Sequence, residues 1–441
     1  MSKVCPECNQ KYKPYSLWWC QPCNSTRFKK DFNKWTSGND TIDKFIQDVQ
    51  LNANNYNKFI EWIPYDRIRY AKQIAKGGYG TIYHAKWLNG YIQYWDIENQ
   101  QWKRSGHFEV VLKKFDSIAH INDDFLNEMS ILLKTIGKIY SSTLFGITKE
   151  PETHEYMMVF EYFKGGNLRN YLNNNFNNIH WDNKLVYLGD LAFKFSEIHK
   201  LDIVHRDFHP GNILKYSLNN NSSLYLSDFG LSKLVTESKK DSPNKTISGV
   251  LPYIAPEVLI GKEYTKAADV YSFAFVAYEL ITGIPPYHDV PHDKDLAFNI
   301  CNGFRPKIPF HTPKLITQII MRCWDARITH RLTFDELYKK LNKYFIDYRE
   351  NNKNNNNEIT IQIKKAEEFS KNQTTTDTTT TPANYKTHPQ AIYTSRLLNF
   401  SNLPGPKNGE NFEKELEELT ESFYQINANG DDDDYLDISN L

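Results

Sequence analysis

The run His205-Arg206-Asp207-Phe208-His209-Pro210-Gly211-Asn212-Ile213-Leu214 decides how this 441-residue chain is read. Sixteen residues beyond Asn212 stands Asp228-Phe229-Gly230, and further on Ala255-Pro256-Glu257. Upstream, Ala75-Lys76-Gly77-Gly78-Tyr79-Gly80-Thr81-Ile82 sets closely spaced glycines between two strand-like runs. Backbone N–H groups there meet phosphates with no Cβ in the way. Val110-Val111-Leu112-Lys113 ends an apolar strand run on a lysine. Glu128 lies on a helical pattern (Phe125, Met129, Leu132, Leu133) that brings a carboxylate towards that lysine. A glycine cluster alone marks an ordinary turn more often than a phosphate site. The weight lies in all five elements standing in this order.

In that order and spacing they resemble the eukaryotic protein kinases, over about residues 66–348. The resemblance implies an α+β, bilobal protein-kinase fold, with a small β-rich N-lobe and a large helical C-lobe. It implies ATP and Mg²⁺ as cofactors and protein substrates as partners. Lys113 would contact the α- and β-phosphates and Glu128 would fix it by an ion pair. Asp207 would accept the substrate hydroxyl's proton, while Asn212 and Asp228 would hold Mg²⁺, which requires hard oxygen ligands. Ala75, Gly77, Gly78 and Gly80 form the phosphate loop of the resemblance. Phe160 aligns as gatekeeper, Glu161 and Phe163 as hinge, and Ile82, Val111 and Leu214 as the adenine sandwich. Leu132, Leu144, His205 and Phe229 resemble the apolar column aligning the lobes. Asp269 resembles the aspartate bracing the catalytic loop, and Arg331 the partner of Glu257.

Several positions depart from the pattern. Ala75 stands for the first glycine, Val111 for an alanine and Ala274 for a glycine, and none of these removes a catalytic group. His209 replaces the lysine, and Val250 the threonine, usual in serine/threonine kinases. An imidazole can still donate to phosphate, and a phosphate dianion favours its charged form. Leu251-Pro252-Tyr253-Ile254-Ala255-Pro256-Glu257 keeps the serine/threonine-like form. The chain therefore reads as a serine/threonine kinase of intracellular signalling, most similar to the tyrosine-kinase-like group. A dual-specificity kinase, or a weakly active kinase-fold scaffold, is the alternative. Arg206 resembles arginines that pair with an activation-loop phosphate, so an upstream kinase acting on Thr236, Ser238, Ser242, Thr246 or Ser248 is an expected partner.

Four zones differ in composition. Residues 1–35 hold Cys5-Pro6-Glu7-Cys8 and Cys20-Gln21-Pro22-Cys23, four of the six cysteines. Two CxxC turns aim four thiolates at one point, the ligand set of structural Zn²⁺; a redox pair or free thiols is the other reading. Residues 36–65 read as a linker of one or two short helices, the second from Phe59 to Ile63. Residues 66–348 are the kinase domain, and 349–441 a disordered low-complexity and acidic tail. Within that tail Phe412, Leu416, Leu419 and Phe423 share one face of an acidic helical pattern, which offers a docking helix as the alternative. Residues 88–107 read as an extended hairpin with cross-strand aromatics, or as a docking patch.

The 53 bases balance 53 acids, although residues 401–441 hold eleven acids and two bases. No apolar run nears the ~20 residues of a membrane span, and the N-terminus carries no apolar signal region. A cytoplasmic location is expected, with the nucleus still open, and nucleic acid is not an expected partner. Cys301 and Cys323 lie in apolar helical runs as small buried hydrophobes.

Overall fold

The computed structural model describes residues 4–12, 19–55, 58–77, 80–114, 123–135, 141–218, 223–234, 247–350, 357–373 and 385–428. The chain divides into two compact units, one of residues 1–168, 212–233 and 394–396, the other of 169–211, 234–393 and 397–441. No helix among the described residues is long and apolar enough to cross a membrane.

The first unit begins with helices α1 (Gln21–Asp31) and α2 (Asp40–Asn52). Asn39 caps α2, its side chain accepting from the N–H groups of Thr41 and Ile42. Strands β1 (Glu61–Trp62), β2 (Ile68–Gly77), β3 (Gly80–Trp87), β4 (Ile92–Asp96), β5 (Gln101–Arg104) and β6 (Phe108–Lys114) follow. Helix α3 (Asp123–Thr135) then leads to β7 (Leu144–Lys149) and β8 (Tyr156–Glu161). Six of these strands form one sheet in the order β1-β7-β8-β6-β3-β2. Alternation along the strands turns Ile68, Ala85, Trp87, Val110, Leu112, Met157 and Val159 into one buried cluster.

One expectation fails here. Residues 59–63 form no second helix; Glu61–Trp62 is a strand parallel to β7, and the Ile63 N–H donates to the Ile147 carbonyl at 2.8 Å. Five residues before Pro64 cannot repay helix nucleation, whereas a sheet edge supplies ready partners. The 88–107 segment is the expected hairpin, β4 pairing antiparallel with β5 and Trp95 opposite Trp102.

In the second unit come α4 (Leu168–Asn175), α5 (Trp181–Lys200) and β9 (Ile203–Val204). The chain returns to the first unit for β10 (Ile213–Lys215) and β11 (Leu224–Leu226), a two-stranded pair, then passes through β12 (Lys233–Leu234). The second unit resumes with β13 (Ile247–Gly249) and the short α6 (Pro256–Leu259). Next are α7 (Lys266–Thr282), α8 (Lys294–Cys301), α9 (Lys314–Cys323) and α10 (Phe334–Glu350). Helix α7 is buried without interruption from Ala268 to Ile281 and stops at Gly283, φ +69°. A Cβ there would lie 2.6 Å from the Phe176 ring, so only glycine fits. Cys301 and Cys323 are fully buried.

The stretch 349–441 is not disordered throughout. It holds α11 (Glu358–Gln373), β14 (Arg396–Leu398) and α12 (Phe412–Ala428); residues 351–356, 374–384 and 429–441 lie outside the described residues. Ile359, Ile363 and Ala366 bury one face of α11, and Gln362 accepts from the Leu315 N–H at 3.0 Å. Before α12, Lys407 donates to the Cys301 carbonyl and Asn408 accepts from the Ala326 N–H. Along α12, Phe412 is buried, Glu413 pairs with Arg327 at 2.6 Å, and Gln318 donates to Thr420 at 2.9 Å. The acidic segment is thus a helix fastened within the second unit; the Phe423 side chain lies outside the described residues. Composition hid this because few apolar residues suffice when backbone and side-chain hydrogen bonds share the fastening.

Arg331 and Glu257 form a two-pronged ion pair at 2.6 and 2.7 Å, both nearly sealed from solvent. Arg331→Met leaves the carboxylate buried without a cation and is expected to cost about 3–5 kcal/mol, read as a lower urea midpoint. Adding Glu257→Gln should recover part of that loss.

Candidate active site

Register places the phosphate-handling residues of the first unit. Ile82 on β3 lies opposite Lys113 on β6, Ala75 pairs with Ile82, and Gly77 pairs with Gly80 at the hairpin end. Gly78 lies outside the described residues. Val111 is opposite Phe160 on β8. Glu161 donates its N–H to the Thr143 carbonyl at 3.0 Å, and Phe163 packs its ring on Tyr225. Leu214 lies on β10, bridged to Asn167. Ile82, Val111 and Leu214 are half-buried apolar side chains.

Lys113 is the centre of this unit's charge. Its Nζ lies 2.7 Å from Glu128 Oε1 on α3 and 2.9 Å from Asp228 Oδ1. Burial opposes the ammonium, but the carboxylates of Asp228 and Glu128 outweigh it and hold the lysine above its ordinary value. One ammonium facing two carboxylates leaves a negative charge in surplus. Burial first, helped by Asp228, therefore pushes Glu128 above the usual carboxylate range against the pull of Lys113. Asp228 is the more open of the two acids, with 38% of its side chain exposed. Sequence reasoning missed Ser227, which donates its N–H and its hydroxyl to the Asn212 carbonyl, each at 3.0 Å. These two hydrogen bonds tie Asn212 to the residue preceding Asp228, giving two hard oxygen donors on adjoining backbone. Asp228 has φ +59°, a left-handed conformation rare outside glycine and concentrated at functional sites.

The second unit holds the catalytic-loop residues. Asp269 on α7 accepts the N–H groups of His205 at 2.9 Å and Arg206 at 3.1 Å, and lies 3.0 Å from His199 Nε2. Arg206 too has a left-handed φ, +71°. Asp207 is buried, 3.6 Å from His209 Nε2. The Gly211 N–H donates to His209 Nδ1 at 3.1 Å. A backbone N–H can only donate, so Nδ1 is an acceptor and the ring's proton sits on Nε2, facing Asp207. In this arrangement Nε2–H is the donor left to face a ligand. Ser248 is half-buried and its hydroxyl meets no hydrogen-bond partner among the described residues; Thr236, Ser238, Ser242 and Thr246 lie outside them.

Also unforeseen was Arg169. Its guanidinium bonds Glu279 at 2.9 Å and the Tyr253 hydroxyl at 2.8 Å. The signal was present: Glu279 closes an apolar run, and a carboxylate buried there needs a cation.

The four N-terminal sulfurs lie within 4.8 Å of one another, with Cys5–Cys23 at 3.9 Å and Cys8–Cys20 at 3.5 Å. Four thiolates ~2.3 Å from a tetrahedral zinc would stand roughly 3.8 Å apart, so the spacing fits. Cys20 precedes α1 and Cys23 lies in its first turn, where the helix dipole favours thiolate but burial outweighs it and pushes both thiols up. Burial raises Cys20 to about 11; at Cys5 it is overcome by the Cys8 and Glu7 N–H groups, bringing that thiol to about 7. The cluster is fastened to the hairpin: Trp19 stacks on Phe59 and Trp102, Phe28 stacks on Trp102 at 4.9 Å, and Arg27 lies 4.4 Å over Trp95.

The description of the protein tyrosine and serine/threonine kinase family fits residues 68–341. A protein of Acanthamoeba polyphaga mimivirus, provisionally named a serine/threonine-protein kinase/receptor, is 30% identical over 302 residues, 68% of this chain and 17% of that protein. The tyrosine-protein kinase SPK-1 of Girardia tigrina is 28% identical over 321 residues, 70% of this chain and 56% of its own. The serine/threonine-protein kinase VIK of Arabidopsis thaliana is 30% identical over 282 residues, 62% of this chain and 59% of its own. The chain thus spans about a sixth of the mimivirus relative and under two thirds of the other two.

Lys113→Met withdraws the ammonium shared by Glu128 and Asp228. At neutral pH the expected loss is roughly 3–5 kcal/mol of stability. The raised value of Glu128 sets the sign: the ionised acid is the costly form, so the deficit shrinks as pH falls through that raised value towards the ordinary glutamate range. Thermal midpoints of both proteins across pH 4–8 check this; a constant gap would contradict it.

Proposed function

The chain belongs to the protein tyrosine and serine/threonine kinase family, and from that membership we propose that it transfers the γ-phosphoryl group of ATP to serine and threonine hydroxyls of proteins, as a member of the tyrosine-kinase-like group. The observation carrying the reading is the buried Lys113–Glu128 pair with Asp228 at the same ammonium. In it, Lys113 holds the α- and β-phosphates, oriented by Glu128. The glycine loop at Ala75, Gly77, Gly78 and Gly80 covers the phosphates. Ile82, Val111 and Leu214 pack the adenine, with Phe160 behind it and the Glu161 and Phe163 backbone along its edge.

Asn212 and Asp228 would hold Mg²⁺: the surplus negative charge at Asp228 and the oxygen donors joined through Ser227 suit that cation. Magnesium, when bound, neutralises charge on the phosphates. Asp207 orients the acceptor hydroxyl and takes its proton. His209 Nε2–H acts as the donor that stands in for the missing lysine. Cys5, Cys8, Cys20 and Cys23 hold a structural Zn²⁺, which contributes folding energy, not catalysis.

Dual specificity is the second reading, favoured by the joint change at His209 and Val250 and by the likeness to a tyrosine-protein kinase. Phosphoamino-acid analysis of a protein substrate separates the two: phosphoserine and phosphothreonine alone support the first, added phosphotyrosine the second.

Asp207→Asn should lower kcat at least about a hundredfold while ATP still protects against thermal unfolding. Transfer at the wild-type rate would remove Asp207 from its role. A metal assay of intact protein should find one zinc per chain, lost on Cys8→Ser.

A further inference from the structure

Tyr393 is pinned within the second unit. Its hydroxyl donates to the Pro286 carbonyl at 2.9 Å, and its ring meets the His292 ring edge-on at 4.8 Å. The residues before it are fastened to the same unit. The Tyr385 hydroxyl donates to Asn173 at 3.1 Å, the His388 N–H to the His288 carbonyl at 2.7 Å, and the Ile392 N–H to His292 Nδ1 at 3.0 Å.

What Tyr393 holds in turn is Arg169, on α4. The guanidinium donates to the Tyr393 carbonyl at 3.1 Å and lies 4.6 Å over its ring. It also lies 5.6 Å over the Tyr253 ring, donates to the Tyr253 hydroxyl at 2.8 Å and pairs with Glu279 at 2.9 Å. A cation this enclosed needs acceptors for its N–H groups and an aromatic face to lie on, and Tyr393 supplies one of each. Tyr253 is fixed at its other end too, its carbonyl accepting from the Ser272 hydroxyl at 2.7 Å.

The loop that Tyr253 closes stands against the proposed base, and all of these residues belong to the same unit as Asp207. A Cβ on Gly249, at the end of β13, would lie 3.4 Å from Asp207 Oδ1. The Tyr253 ring lies 5.9 Å from the His209 ring. Residues 249–253 are therefore neighbours of Asp207 at one end and of His209 at the other.

Resting on the kinase reading above, we propose that Tyr393 is a positioning residue for the protein acceptor: through Arg169 it holds Tyr253, and with it the loop 249–253, in the arrangement beside Asp207 that an acceptor meets. The stretch 385–393 is then a strap by which a distant part of the chain sets acceptor affinity. None of the contacts named here involves Lys113, Asn212 or Asp228, so the effect falls on the acceptor and spares ATP.

The test uses the full chain with Mg²⁺, ATP and myelin basic protein, and the variants Tyr393→Leu and Tyr393→Phe. Both keep bulk and lose the hydroxyl, but only phenylalanine keeps a ring under the guanidinium. Tyr393→Leu should raise the KM for myelin basic protein about tenfold, the worth of one desolvated cation–π contact, with the KM for ATP unchanged. Tyr393→Phe should restore most of the acceptor affinity. Unfolded molecules lower the apparent kcat and leave both KM values in place, so a partly folded variant still reports. In a Tyr253→Phe background, where the hydroxyl link to Arg169 is already cut, Tyr393→Leu should add about twofold at most. A wild-type acceptor KM in Tyr393→Leu, a rise of both KM values together, or a phenylalanine variant no better than the leucine one overturns the positioning role. Independent, multiplying effects of the substitutions at 253 and 393 overturn the route through Arg169. Transfer to no acceptor by the wild type overturns the kinase reading and this inference with it.

Discussion

A helix enclosed from Ala268 to Ile281 cannot leave a carboxylate unpaired, and α7 carries two, Asp269 and Glu279. Their search for partners organises the second unit. Asp269 finds the N–H groups of His205 and Arg206, which fixes the backbone entering Asp207 and holds Arg206 in a left-handed turn it would not otherwise adopt. Glu279 finds Arg169, and through it Tyr253 and Tyr393. One apolar helix thus orients the loop before the proposed base and the far C-terminal segment by the same rule: a charge removed from water must be satisfied by whatever lies in reach.

The first unit solves the opposite problem. Its sheet gathers apolar side chains and leaves one ammonium between two acids, a balance that is deliberately incomplete in charge. Glu128 is sealed and orients Lys113, whereas Asp228 stays open enough to exchange partners. The Ser227–Asn212 bonds make that opening a fixed feature of the backbone and not of a mobile side chain.

Much of this was legible in the sequence because the motifs are local. Glycine spacing, the lysine ending an apolar strand and the Asp207–Asn212 loop all announce themselves within ten residues. The strand Glu61–Trp62, the Arg169–Glu279 pair and the docking of residues 385–428 were not, since each depends on a partner far along the chain. The tail is the instructive case. Its composition argued for disorder, yet a row of backbone hydrogen bonds and a few buried residues such as Ile363, Leu398 and Phe412 hold it down. Composition counts apolar area and does not see such bonds. His209 shows another limit: its identity could be read, but its tautomer required the Gly211 N–H.

The fastening of the cysteine cluster to the β4–β5 hairpin bears on where this protein can be cut. The motifs begin near residue 66, and a fragment starting there would look complete by every catalytic criterion. It would nonetheless strip Trp19, Phe28 and Phe59 from the hairpin and leave the indoles of Trp95 and Trp102 facing water as one aromatic patch. It would also remove β1 and bare the edge of β7 as an unpaired strand. Bare aromatic surface and a bare strand edge are the two commonest routes to self-association. The catalytic motifs therefore mark where the chemistry starts, while a piece that keeps the hairpin and the β7 edge covered starts some sixty residues earlier, at the cysteines.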